Sequence, residues 1–77
     1  MAIVRHLEPH QLDVDSSHTE TDCTYSIVQD KGGVRYLQID TYGSNARKIA
    51  GKKSQSLRFA PEAIRELVQI IRINFNE

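Results

Sequence analysis

The sequence predicts a small α+β domain, an antiparallel sheet of three or four strands followed by one C-terminal amphipathic helix. Three observations predict it. Two alternating stretches, residues 23–28 and 34–42, flank Asp30-Lys-Gly-Gly33. A third short alternating stretch covers residues 54–59. An apolar repeat of helical period then begins just after Pro61.

Taken in order, residues 1–7 are apolar enough for a short strand or a docked arm. Residues 8–22 are polar and acidic, with Pro9, Ser16 and Ser17, and read as a loop. This divides the chain into an N-terminal arm or acidic loop, 1–22, and a β-β-β-α domain, 23–77. In the first strand Cys23, Tyr25 and Ile27 share one face and Thr24 and Ser26 the other, the pattern of a half-buried strand. Cys23 is expected as a small buried hydrophobe on the core face. Asp30-Lys-Gly-Gly33 offers the positive-φ positions of a tight hairpin.

The returning strand sets Leu37, Ile39 and Thr41 on the core face, with Tyr36, Gln38, Asp40 and Tyr42 on the open face. In the last strand Leu57 and Phe59 face the core, and Ser56 and Arg58 face outward. Pro61 suits the first helical turn, and Glu62 there complements the helix dipole. Ala60 before it lacks a capping side chain. Ile64, Leu67, Val68, Ile71 and Phe75 line one helical face.

A chain of 77 residues is one domain and buries a limited fraction of its surface. Its single cysteine, Cys23, supplies no disulfide and fits a reducing cytoplasm. No apolar run approaches the roughly 20 residues of a membrane span, and the N-terminus is not a signal peptide. Burial therefore has to come from oligomerisation. Ile70 and Ile73 fall off the helical stripe and widen it beyond what one small sheet covers. With Phe75 they mark a homodimer interface.

The net charge of zero conceals a division. Residues 1–30 hold Arg5 against Glu8, Asp13, Asp15, Glu20, Asp22 and Asp30; residues 31–60 hold Lys31, Arg35, Arg47, Lys48, Lys52, Lys53 and Arg58 against Asp40. The middle segment is thus strongly positive. Tyrosines on an open sheet face beside such a segment suit an unpaired nucleic acid, with bases on rings and phosphates on cations. The candidate binding residues are Arg35, Tyr36, Gln38, Tyr42, Arg47, Lys48, Lys52, Lys53 and Arg58. Asp40 among them would repel phosphate unless paired with Arg58 or Arg35.

Other chemistries fit less well. Gly51-Lys-Lys-Ser54 resembles the end of a phosphate loop, but position 46 is alanine and a strand follows. His6, His10, His18 and Cys23 lack the paired spacing of a zinc site. Residues 15–20 contain hydrolytic residue types without a scaffold to position them. Neither enzymatic activity nor a cofactor or metal is expected.

Lys48-Ile-Ala-Gly-Lys-Lys-Ser-Gln-Ser-Leu57, followed by residues 61–67, resembles the PC4-like single-stranded-DNA-binding fold of the transcriptional coactivator p15. The likeness spans residues 34–71. Ala50 stands where that family has proline, and Ser54-Gln55 where it has one glycine. The resemblance implies a curved sheet, a homodimer formed through the helix, and binding of unpaired strands, DNA before RNA, independently of sequence. The alternative is a protein-interaction module that docks a larger partner through its helix and acidic N-terminal segment.

Overall fold

The computed structural model describes residues 1–18, 20–42 and 55–75. Four strands, β1 (Ala2–Val4), β2 (Cys23–Gln29), β3 (Arg35–Thr41) and β4 (Gln55–Phe59), precede one helix, α1 (Pro61–Phe75). They form one sheet in the order β1-β4-β3-β2. β2, β3 and β4 are antiparallel, but β1 runs parallel to β4. The sheet is therefore mixed, not antiparallel throughout. Of the two readings for the start of the chain, a short strand or a docked arm, residues 2–4 form the strand.

The hairpin is built by Asp30 and Gly33. Gly33 N–H donates to the Asp30 carbonyl at 3.1 Å, and Asp30 N–H to the Val34 carbonyl at 2.9 Å. Gly33 takes φ +86°. This is a three-residue loop ending on a left-handed glycine. The Asp30 carboxylate accepts from Gly32 N at 2.9 Å and Val34 N at 3.0 Å. These donors, Val34 foremost, with the Tyr36 hydroxyl, hold its pKa below the ordinary 3.8.

The register sorts the side chains into two faces. Leu37 pairs with Ile27 and Phe59, and Ile39 with Tyr25 and Leu57. That face is apolar, and the β1 pairing adds Ala2 and Val4. The other carries Gln38 opposite Ser26 and Arg58, and Asp40 opposite Thr24 and Ser56. Burial departs from the expected order. The polar face is the more deeply covered along β3, with Tyr36 7 %, Gln38 6 % and Asp40 2 % exposed. On the apolar face Phe59 is buried and Leu37 and Ile39 are half-buried, while Leu57 and Cys23 are exposed. The alternation places Tyr36 and Gln38 in the open; their polar atoms are instead satisfied within the sheet, so burial costs little.

The helix contacts β3 and β4. Ala60 serves as its N-cap, its carbonyl accepting from Ile64 N at 2.9 Å while its own N–H donates to the Val4 carbonyl at 2.9 Å. Ala60 and Ala63 are wholly buried where β4 becomes the helix. Ile64 and Leu67 are half-buried, whereas Val68 and Ile71 of the expected core stripe are exposed. Residues after β1 run back onto the helix. Arg5 Nη1 meets Glu62 Oε2 at 3.3 Å, His6 Nδ1 lies 3.6 Å from Glu66 Oε2, and Leu7 N donates to Glu66 Oε1 at 2.7 Å.

The two hairpin glycines should respond differently to alanine. Gly33→Ala forces a side chain into the left-handed region and should cost about 1–2 kcal/mol in urea unfolding. At Gly32 an added Cβ meets only Asp30 Oδ1, at 3.5 Å, so Gly32→Ala should be neutral or slightly stabilising.

Candidate nucleic-acid interface

A hydrogen-bonded ladder crosses the polar face. Arg58 Nε donates to Gln38 Oε1 at 2.7 Å. Gln38 Nε2 donates to both Asp40 carboxylate oxygens, at 3.0 and 3.2 Å, and Ser56 Oγ donates to Asp40 Oδ1 at 2.5 Å. At the hairpin end the Tyr36 hydroxyl donates to Asp30 Oδ2 at 3.2 Å. Arg5 is held protonated more firmly than usual, chiefly by the Tyr36 hydroxyl and then by Glu62. Glu62 in turn is held below its ordinary pKa by its own backbone N–H and by Arg5.

The candidate residues consequently separate. Arg58 and Gln38 meet as side-by-side partners, as the alternation required. Arg35, in alternation with Leu37, belongs to the apolar face, at the hairpin end of β3. Tyr36 and Gln38 have no open ring or amide to offer a base. Tyr42 is half-buried, and its hydroxyl lies 3.0 Å from Thr24 Oγ1. Thr21 Oγ1 donates to the Tyr42 carbonyl. Arg47, Lys48, Lys52 and Lys53 lie outside the described residues. Ile70, Ile73 and Phe75 of the expected dimer interface are exposed, the last two at 74 % and 65 %.

The register does fix where the basic segment is rooted. β3 ends at Thr41, β4 begins at Gln55, and these two residues are paired. Both ends of the intervening stretch, which carries Arg47, Lys48, Lys52 and Lys53, therefore spring from one point on the sheet. Cys23 pairs with Thr41 at the same end. A groove of about 780 Å³ opens there, and Thr41 and Gln55 line it together with Ala2, Ile39 and Leu57. A groove of this size is within the usual range for a small-ligand site. Reading the sequence alone missed it, because its β1 wall depends on a long-range parallel pairing with no local signal.

Comparison of the chain with protein-family models, with curated proteins and with solved structures finds no match.

The ladder should behave as a structural element. Tyr36→Phe should lower stability by about 0.5–1.5 kcal/mol through loss of the bond to Asp30. Gln38→Ala, which strips partners from Arg58 and Asp40 at once, should cost about 1–3 kcal/mol. Chemical denaturation measures both, and a neutral Gln38→Ala would contradict the ladder's role.

Proposed function

We propose that this chain binds unpaired nucleic acid, DNA before RNA, without sequence preference and as a homodimer. The observation that carries the reading is the common root of the basic segment and the groove at Thr41 and Gln55. Phosphates meet Arg47, Lys48, Lys52 and Lys53. Bases rest in the apolar groove over Ile39 and Leu57, and Tyr42 stands at the same end of the sheet. Stacking and apolar contact tolerate any base, whereas phosphate contact carries no sequence information. The likeness of residues 34–71 to the PC4-like fold supports the same ligand class. Tyr36 and Gln38 are not assigned contacts in this scheme, since both are buried.

A second reading keeps the chain as a protein-interaction module. It is favoured by a cleft of about 590 Å³ between the N-terminal arm and the helix, with Leu7, Pro9, Gln69 and Ile70 in its walls.

Binding of a labelled unpaired oligonucleotide across a salt series tests the first reading. With three to five phosphate contacts, affinity should fall with a log–log slope of roughly −2 to −3.5. Lys52→Ala with Lys53→Ala should flatten that slope. Leu57→Glu should weaken binding at every salt concentration while the fold persists, because Leu57 is exposed. Absence of binding at low salt would overturn this reading and leave the interaction module.

A further inference from the structure

The two edges of the sheet are unlike. β1 is only three residues long, which is one way proteins blunt an edge. β2 is seven residues long, Cys-Thr-Tyr-Ser-Ile-Val-Gln, six of them exposed, with no proline and no charge. Neither of the usual guards against edge pairing is present along it.

The backbone phase of that edge follows from the hairpin. Asp30 N–H donates to the Val34 carbonyl across the ladder, so Val28, Ser26 and Thr24 also turn their N–H and C=O groups toward β3. Cys23, Tyr25, Ile27 and Gln29 therefore turn theirs to the free edge. Beside them Tyr25 and Ile27 expose 76 % and 54 % of their surface on the apolar face. No large side chain among the described residues is fully buried, so this chain gains more from added burial than a domain with a complete core.

We infer that β2 pairs with β2 of a second copy, antiparallel about a two-fold axis through Ser26, making one continuous eight-stranded sheet. The inference rests on the homodimer reading above and moves its surface from the helix to this edge. A second copy suits this edge because a two-fold perpendicular to the sheet demands self-complementarity, and β2 supplies it. Outward-facing residues must meet outward-facing residues. Centring on Ser26 sets Tyr25 opposite the partner copy's Ile27 and Cys23 opposite its Gln29, each pair exchanging two bonds. No other centre keeps the full seven-residue overlap. Asp22 then lies near the other copy's Asp30, whose carboxylate is turned into its own hairpin by Gly32, Val34 and Tyr36. The operation also keeps both helices on the same side of the joined sheet.

Ser26 would be opposite itself in a non-hydrogen-bonded pair, with Cα atoms about 4.5 Å apart. That is within disulfide reach. The test is Ser26→Cys in a Cys23→Ser background, oxidised at low micromolar concentration and read on a non-reducing gel beside sedimentation of the reduced protein. The expected result is a reduced species at twice the 8.8 kDa chain mass and near-complete cross-linking. Thr24→Cys in the same background should stay unlinked, because its copies would lie about 13 Å apart. A reduced dimer in which Ser26→Cys fails to link would overturn the edge pairing and leave the homodimer standing. Equal linking of both variants would overturn it as chance collision. A monomer at high micromolar concentration would overturn both.

Discussion

The arrangement depends on a carboxylate held inside the sheet. Asp40 lies in the central strand with 2 % of its surface exposed, a position that is costly for a charge unless hydrogen bonds replace the lost water. Ser56 and the Gln38 amide supply them, and Arg58 fixes the other end of Gln38. Because side chains alternate, a slip of one residue would carry Asp40 onto the face of Ile39 and Leu57 and strand it there. The polar ladder thereby specifies the pairing of β3 with β4, and so fixes where everything attached to those strands begins.

That constraint limits which surfaces are free to meet a partner. A face spent on internal hydrogen bonds has little left for a ligand, and the same bonds make its tyrosine and glutamine structural. What remains accessible is the apolar side, where Tyr25, Ile27 and Leu57 stand exposed, together with the sheet end at Thr41 and Gln55. In the proposed scheme these surfaces are separate, the edge meeting a second copy and the end meeting nucleic acid. They do not compete, since the groove is lined by residues of β1, β3 and β4, whereas the edge pairing is made by backbone groups of β2.

Much of the framework was legible because its signals are local. Asp30-Lys-Gly-Gly33 determined the hairpin, alternation sorted the two faces, and Pro61 marked the helix start. What was not legible concerns tertiary partners. Three residues, Ala2–Val4, carry no periodicity that tells parallel pairing from a docked arm. Tyr36 and Gln38 are polar and so read as exposed; only their mutual register with Asp30, Arg58 and Asp40 makes burial affordable in hydrogen bonds. Cys23 lies at the start of the open edge strand, where nothing in its residue type could distinguish it from a core cysteine.

The most direct measurement is a residue-resolved NMR titration with an unpaired oligonucleotide. Resonances of Thr41, Tyr42 and Gln55 and the methyl groups of Ile39 and Leu57 should shift together, while the Gln38 side-chain amide and the Tyr36 ring stay in place. Shifts centred on Tyr36 and Gln38, with the Thr41 and Gln55 end unmoved, would contradict the assignment of the polar ladder to structure and of the sheet end to binding.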